Sequence, residues 1–268
     1  MSIKKVKIQN FKCFKDTFEI ELNKGLNILV GNNGTGKSTI LEAIHIALTG
    51  LYGGRNIRNE LSQYLFNKEI IDSYILSVNN GVALPPPFVC IEVFFEDSID
   101  PEFKGNNNSE HSDCEGIKFE ISFNEKYREE YNSLISSKNM LSLPIEYYEA
   151  SWTSFARHSV TIRSIPMKSA MIDSSNYRYQ NGSDVYISRI VKDLLSSEEV
   201  QDLSGYDLDI LKLLFKIKSN IILVGDPRQV TYHTHEESRN KTYSNGGIVE
   251  FVENECKDCF KDYVFFFH

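Results

Sequence analysis

The chain has 268 residues, of which 41% are hydrophobic and 25% are charged, the composition of an ordinary globular protein with a sizeable core. Its net charge is −8, so a strongly basic field over the whole protein is excluded. A nucleic acid partner would need a local patch of Lys and Arg, because contacts to phosphates require positive charge.

Cysteine usage and hydropathy both predict a cytoplasmic protein without a membrane partner. The five cysteines are odd in number and widely spaced, which argues against a disulfide framework. Cys256 and Cys259 form a lone Cys-x-x-Cys without histidines at a zinc-finger spacing, so two unrelated thiols are favoured over a metal site. The sequence has no apolar signal region and no stretch of membrane-spanning length.

Three strands are predicted in the first 30 residues. Apolar residues alternate with polar ones over residues 3–8 and 18–22, which predicts two half-buried strands. Residues 26–30 are apolar nearly throughout, as in a strand buried on both faces. The lysines of the first segment have two open interpretations, a DNA contact or a solvated strand face: Lys4, Lys5, Lys7, Lys12 and Lys15.

The middle of the chain alternates between helical and extended patterns. Apolar residues recur at helical spacing over residues 39–48, directly after the third strand. The further predictions are a helical and then irregular segment (55–80), two strands of a hairpin or meander (88–95 and 117–123) with an exposed loop between them (105–109), a helix (127–137), a strand (144–150) and a helix (184–195).

The last 70 residues are predicted to form a smaller α/β segment. A short amphipathic helix (206–215), a buried strand ending at Gly225-Asp226 (220–224), a polar loop (231–247) and a helix (248–256) follow one another. Residues 264–267 look like half of an apolar strand, which indicates a truncated end.

Residues 31–38 match the phosphate-binding pattern GxxxxGK[ST], with a strand before it and a helix after it. Its glycines let successive backbone N–H groups point inward at phosphate oxygens, and the helix adds its positive dipole end. Lys37 would hold the β- and γ-phosphates, Ser38 would offer its hydroxyl to Mg²⁺, and Thr39 would lie near the α-phosphate. The predicted ATP-binding residues are Gly31, Asn32, Asn33, Gly34, Thr35, Gly36, Lys37, Ser38 and Thr39.

Hydrolysis also needs carboxylates that hold Mg²⁺ and orient water, normally at the end of a second buried strand. Glu96 and Asp97 follow an apolar run, but Glu92 interrupts that run. A solvated hairpin strand is therefore the favoured interpretation of this segment, and no catalytic role is expected for Glu96 and Asp97.

The opening of the chain resembles the RecF, SMC and OLD-nuclease group of ABC-type ATPases. The resemblance lies in IKKVKIQNFKCF at residues 3–14 and in GLNILVGNNGTGKSTILEAI at residues 25–44. Residues 1 to about 195 look like the N-terminal part of an OLD-family ATPase, which implies an ATPase head that dimerises around ATP and acts on DNA. The C-terminal nuclease domain of that family is not matched, since Asp207 and Asp209 fit the first turn of a helix, so nuclease activity is not expected.

The tail resembles motifs II and III of UvrD-like superfamily 1 helicases. The matching segments are EEVQDLSGY at residues 198–206 and NIILVGDPRQV at residues 220–230. The resemblance implies catalytic roles for Asp202, Asp226 and Gln229, beside Lys37 of the phosphate loop. Glu198 stands where the helicase motif has Asp, and the helicase's own phosphate loop and arginine motifs are absent, so a competent helicase is not expected.

A rival interpretation makes the chain a complete small ABC-type ATPase. Leu203-Ser204-Gly205 begins like the ABC signature motif, and Asp226 would be the Walker B aspartate. However, Tyr206 replaces the second signature glycine and Pro227 replaces the catalytic glutamate. The helicase-like fragment is therefore favoured.

The sequence thus predicts an α/β fold: an incomplete P-loop NTPase, an ABC/RecF-like ATPase head, with a short C-terminal helicase-like fragment. The expected domains are residues 1–197 and 198–268, joined near residues 199–200 by a hypothetical deletion between neighbouring defence genes. The expected function is that of a DNA-associated ATPase of anti-phage defence or DNA repair, with ATP and Mg²⁺ as cofactors. Expected partners are DNA, a second copy of the head, and a helicase or nuclease. The alternative is a nucleotide-binding remnant or interaction module with little hydrolysis.

Overall fold

The computed structural model describes residues 1–82, 84–96, 100–167, 169, 171, 221–225 and 264–267. The chain divides into two compact units, Met1–Leu22 with Thr35–Ser169, and Asn23–Gly34 with Ala170–His268. Among the helices that the structure describes, none has the length and apolar character that crossing a membrane requires.

The described elements follow one another in a mixed α/β order. The strands are β1 (Ser2–Gln9), β2 (Thr17–Glu21), β3 (Leu26–Gly31), β4 (Leu51–Tyr52), β5 (Arg55–Asn56), β6 (Val89–Glu96), β7 (Lys104–Gly105), β8 (Cys114–Phe123), β9 (Tyr148–Ser154), β10 (Ile221–Gly225) and β11 (Val264–Phe267). The α-helices are α1 (Lys37–Thr49), α2 (Lys68–Asn79) and α3 (Arg128–Ser136). Short 3₁₀ turns join several of them.

The first unit is built on an antiparallel sheet with the strand order β2-β1-β6-β8-β7, and β9 also pairs with β8. Val6 and Ile8 on β1 and their register partners Val93 and Ile91 on β6 are completely buried on one face of the sheet, because residues two apart in a strand share a face. Helix α1 contacts β1, β6 and β8 and buries Ala43 together with most of its other apolar residues. One sheet face and one helix face thus form the core of this unit.

The opposite face of this sheet is charged and is covered by a loop. Lys7 on β1, Glu92 on β6 and Lys118 on β8 are register neighbours across the strands. Glu92 is only 3% exposed, and its carboxylate accepts hydrogen bonds from the backbone N–H (2.8 Å) and the hydroxyl (2.6 Å) of Ser109. Glu110, the next residue, pairs with Lys5 and Lys7. The loop is therefore attached to the sheet by its polar groups.

The second unit contains a parallel sheet of three described strands, β10-β3-β11. Gly225 at the end of β10 lies opposite Val30, and Phe267 at the end of β11 lies opposite Gly31. Because parallel strands bring their carboxyl ends to the same edge, both flanking strands end beside the point where β3 leads into the phosphate loop.

Most of the predicted elements are confirmed, with small shifts at their ends. The predictions for the three first strands, the helix after β3, the β6–β8 pair, α3 and β10 all agree with the structure. The predicted helices at 184–195, 206–215 and 248–256 lie outside the described residues.

Three sequence predictions are wrong. The segment 55–80 begins with a strand and 3₁₀ turns, and its helix starts only at Lys68, where Asn67 caps it by accepting from two backbone N–H groups. The strand predicted at 144–150 runs over Tyr148–Ser154. The segment around Glu92 is not solvated: β6 is buried up to Phe95, because Ser109 supplies the hydrogen bonds that let a carboxylate lie inside.

We expect Glu92→Ala to lower the free energy of unfolding by about 1–3 kcal/mol, because the two hydrogen bonds by which the Glu92 carboxylate holds Ser109 and its loop on the sheet would be lost. Urea unfolding followed by tryptophan fluorescence measures this loss. Glu146→Ala is the control, since Glu146 is exposed and its loss should leave the midpoint unchanged. An equal effect of both variants would contradict the proposed attachment of the loop.

The contact of Glu110 with the sheet should also depend on pH. Hydrogen bonds from Lys5 and then Lys7 lower the pKa of Glu110 from 4.5 to about 2. A lowered pKa in the folded state stabilises the fold above pH 4.5, and this contribution disappears as the pH falls towards 2. The difference in stability between the wild type and Glu110→Gln should therefore shrink over that pH range; a constant difference would show that the ion pairs contribute nothing.

Candidate nucleotide-binding site

The phosphate loop leaves β3 at Gly31 and enters α1 at Lys37. Two of its glycines, Gly34 (φ 80°) and Gly36 (φ 94°), have a left-handed backbone that other residues adopt only with strain. Glycine at these two positions avoids that strain. The positions of β3, the loop and α1 confirm the strand, loop and helix order on which the sequence motif depends.

The start of α1 has the features of an anion-binding helix terminus. Gly36 occupies the N-cap position and, as a glycine, has no side chain that could cap the helix. The first turn also contains no acidic residue. Helix N–H groups that lack an internal acceptor carry partial positive charge and favour an anion at this end.

Lys37 supplies the positively charged side chain of the motif. It is only 8% exposed, and its ammonium lies 3.4 Å from the hydroxyl of Thr35. Ser38, the next residue, is exposed. A lysine held close to the helix terminus and an accessible hydroxyl beside it fit a nucleotide phosphate and its magnesium ion.

A turn between β1 and β2, residues 10–16, supports the second half of the loop. A Cβ atom at Gly36 would lie 2.8 Å from Cζ of Phe14 and 2.9 Å from Sγ of Cys13. Lys12 forms an ion pair with Glu42 on α1 at 2.5 Å. The sequence shows that these residues belong to a family motif. It does not show that they contact the phosphate loop, because no spacing rule predicts which turn packs against a given glycine.

The proposed catalytic residues of the tail, Asp202, Asp226 and Gln229, lie outside the described residues, as do Leu203-Ser204-Gly205. Asp226 follows Gly225 directly in the sequence, and Gly225 is the last residue of β10. Within the part of the chain that the structure describes, no group of three or more His, Cys, Asp or Glu could hold a metal ion. Cys256 and Cys259 are not among those residues.

The lysines of the first segment are mostly paired with carboxylates. Lys5 and Lys7 contact Glu19 and Glu110, Lys12 contacts Glu42, and Lys15 contacts Glu69. Lys4 is exposed. Such pairing neutralises much of the positive charge that a DNA contact would use, so the alternative of a strand face with structural ion pairs is favoured for this segment.

Comparison with known proteins shows the family to which the chain belongs. The AAA domain family matches residues 5–241, which is most of the chain. The chain therefore belongs to the AAA domain family, and its α/β architecture with a phosphate loop is that of a P-loop ATPase. Membership of this family implies nucleotide binding.

Within that class, the chain is similar to three kinds of curated protein. It is 41% identical over 58 residues to the DNA double-strand break repair Rad50 ATPase of Pyrococcus abyssi, covering 22% of this chain and 6% of that protein. It is 59% identical over 46 residues to Structural maintenance of chromosomes protein 6 of Saccharomyces cerevisiae, covering 17% and 4%. It is 36% identical over 75 residues to the DNA replication and repair protein RecF of Clostridium tetani, covering 28% and 19%.

The chain thus spans less than a fifth of the length of each of these relatives. Among solved structures, the Smc head domain of Pyrococcus furiosus bound to the C-terminal domain of ScpA is 18% identical, with a TM-score of 0.33, over 61% of this chain and 31% of that chain. By sequence, the particular similarity of this ATPase is to RecF, SMC and Rad50 proteins.

Alanine substitution of the two glycines with a left-handed backbone should distinguish the effect of a steric clash from the effect of backbone strain. Gly36→Ala should lower the melting temperature clearly more than Gly34→Ala, because only at Gly36 would the new methyl group collide with Phe14 and Cys13. Gly34 has nothing within 4 Å, so its substitution costs only the backbone strain, about 1–2 kcal/mol. Thermal unfolding without nucleotide tests this, and equal melting temperatures would contradict the close packing at Gly36.

Proposed function

We propose that the chain binds ATP with Mg²⁺ through residues 31–39 and serves as an ATPase domain of the RecF, SMC and Rad50 type in DNA repair or chromosome dynamics. The observation that carries this proposal is the left-handed glycine loop between β3 and α1, which ends at an uncapped helix terminus with the buried Lys37. In a family whose members bind nucleotides, that geometry suits the phosphates of a nucleotide.

Each polar residue of the loop has a distinct role in the proposal. Lys37 neutralises the β- and γ-phosphates, Ser38 ligates the magnesium ion, and Thr39 contacts the α-phosphate side. The backbone N–H groups of Gly34 and Gly36 donate to phosphate oxygens. Bound magnesium would supply charge neutralisation at the transferred phosphoryl group.

Hydrolysis is assigned to residues of the tail. Asp226 follows β10, the parallel neighbour of β3, and residues after neighbouring parallel strands share the edge at which such sheets bind their ligands. We assign to Asp226 the magnesium-side carboxylate, to Gln229 the sensing of the γ-phosphate, and to Asp202 a role in water activation. Slow hydrolysis is the second candidate behaviour, because Pro227 stands where an ABC-type ATPase has its catalytic glutamate.

A more specific proposal concerns the source of the two parts. The N-terminal resemblance to OLD-family ATPases and the tail's resemblance to UvrD-like helicases support an origin in an anti-phage defence system, with domains at 1–197 and 198–268. Strands β10 and β11 flank β3, so the helicase-like tail supplies strands to the sheet that carries the phosphate loop. The tail is therefore a working part of the ATPase fold in this proposal.

The proposed partners follow from the relatives. Rad50 and RecF are named for DNA repair, and one solved Smc head is bound to ScpA. We propose that this chain associates with DNA, dimerises through its ATPase head and works beside a helicase or nuclease subunit in the cytoplasm. Because Lys5, Lys7, Lys12 and Lys15 are paired, DNA would be held by other cations or by the partner.

Lys37→Ala should abolish binding of Mg·ATP, since it removes the cation that faces the phosphates. Lys68→Ala is a matched control, because Lys68 is the first residue of α2 as Lys37 is of α1, but it is exposed. Fluorescent-nucleotide titration should find wild-type affinity for the control. Wild-type affinity in Lys37→Ala would contradict the proposed site.

Asp226→Asn should reduce ATP hydrolysis without reducing nucleotide binding. If Asp226 holds the magnesium ion, phosphate release should fall about 100-fold or more while nucleotide binding stays within a few-fold of the wild type. Phosphate release and titration on the same preparation measure both. Unchanged phosphate release in Asp226→Asn would remove this residue from the mechanism and favour an acid elsewhere in the tail.

A further inference from the structure

A polar cavity of about 260 Å³ lies on the charged face of the sheet in the first unit, on the side away from α1. Its walls are formed by the loop at residues 106–111, by the turn after β9 and by Phe88, which precedes β6. A cavity of this size fits a small ligand, since pockets for drug-sized molecules begin at about 300 Å³. The floor consists of two rows of register neighbours on β1, β6 and β8: Gln9, Cys90 and Glu120, and Lys7, Glu92 and Lys118.

Hydrogen bonds within the chain hold the walls of the cavity in place. The backbone N–H of Asn107 donates to the carbonyl of Phe155 at 2.9 Å, and its side-chain amide donates to the carbonyl of Ser154 at 3.3 Å. The loop is thereby joined to the turn after β9, while Ser109 joins it to Glu92 on the floor. The cavity is therefore preformed, as small-molecule sites usually are.

Both carboxylates that line the cavity already have partners. Glu92 accepts two hydrogen bonds from Ser109, and the carboxylate of Glu120 lies 3.2 Å from the ammonium of Lys118. A carboxylate that is hydrogen-bonded or paired with a cation repels a second anion much less than a bare one does. The negative charges of the floor therefore leave room for an anionic ligand.

Arg157, in the turn after β9, supplies a cation without an acidic partner. Its guanidinium donates to the side-chain oxygen of Asn106 at 3.4 Å, and it pairs with no carboxylate in the part of the chain that the structure describes. The side chain is exposed, and the backbone is held at φ 69° with the N–H of Arg157 donating to the carbonyl of Ser154 at 2.9 Å. A guanidinium presents its donors in a fork that matches a phosphate group.

The other end of the cavity offers an aromatic ring and an amide. Phe88 is 37% exposed, and the side chain of Gln9 makes no hydrogen bond with any described residue. Thr153, four residues before Arg157, is the register neighbour of Lys118, which places that turn beside the second row of the floor. The two rows are about 7 Å apart along the strands. A nucleobase can stack on an aromatic ring and bond to an amide at its edge.

We propose that this cavity binds a nucleoside monophosphate, with its phosphate on Arg157 and its base against Phe88 and Gln9. A phosphate alone would use the guanidinium but leave the ring and the amide without contacts. None of residues 31–39 lines the cavity, so the site is separate from the phosphate loop. The inference therefore does not depend on ATP binding at that loop.

Calorimetric titration with AMP, GMP, CMP and UMP tests the proposal in full-length Lys37→Ala, in which the phosphate loop no longer competes for nucleotide. At least one of the four should saturate the site. Adding Arg157→Gln should weaken that binding about tenfold or more, the loss expected for hydrogen bonds to a charged group. Arg163→Gln is the matched control, because Arg163 is also exposed and follows β9 but does not line the cavity, and it should change nothing.

Two further measurements distinguish the base from the phosphate and locate the ligand. Phe88→Ala should weaken binding of the monophosphate about fivefold or more, because a stacking contact is lost, and should leave the weaker binding of ribose 5-phosphate unchanged. The monophosphate should slow hydrogen exchange in a peptide covering residues 105–112, which form a wall of the cavity, and not in one covering residues 35–42.

Four results would overturn the inference. These are a folded chain that none of the four monophosphates saturates at millimolar concentration, unchanged affinity in Arg157→Gln, inorganic phosphate that binds as tightly as the best monophosphate, and an oligonucleotide that displaces the monophosphate at a lower concentration. The last two would assign the cavity to a simple anion or to a nucleic acid strand. Loss of ATP binding at the phosphate loop would leave the inference standing, because these titrations are made without that site.

Discussion

The left-handed backbone at Gly36 is the constraint on which the nucleotide site depends. It turns the chain from the loop into α1 at a point where Cys13 and Phe14 leave no room for a side chain. Glycine is the residue that meets both conditions at once. The start of α1 therefore lies directly against the turn at residues 10–16.

The electrostatic environment at the start of α1 differs from that of the acidic chain as a whole. The net charge is −8, and several lysines near the N-terminus are paired with carboxylates, including Lys7 with Glu19 and Lys12 with Glu42. The start of α1 has neither an acidic residue in its first turn nor a capping side chain. Local electrostatics therefore favour an anion there, although the protein as a whole would repel one.

Sequence reasoning predicted the phosphate loop and the strands around it because their signals are local: a glycine pattern, an apolar strand and a helical period. The sequence-based predictions were wrong where contacts between residues distant in the sequence determine the structure. Glu92 interrupts an apolar run and was therefore predicted to be solvated, but Ser109, 17 residues away, supplies its hydrogen bonds. Nothing near Lys12 predicts that it meets Glu42 on a later helix, and the pairing of β11 with β3 joins the two ends of the chain.

Calorimetric titration of the folded wild-type chain with Mg·ATP tests the central claim most directly. The account predicts saturable binding with one nucleotide per chain, which disappears when Lys37 is replaced by alanine. A folded sample that shows no binding at millimolar nucleotide would contradict it, because a loop with this backbone and this buried cation would then serve some purpose other than holding phosphates.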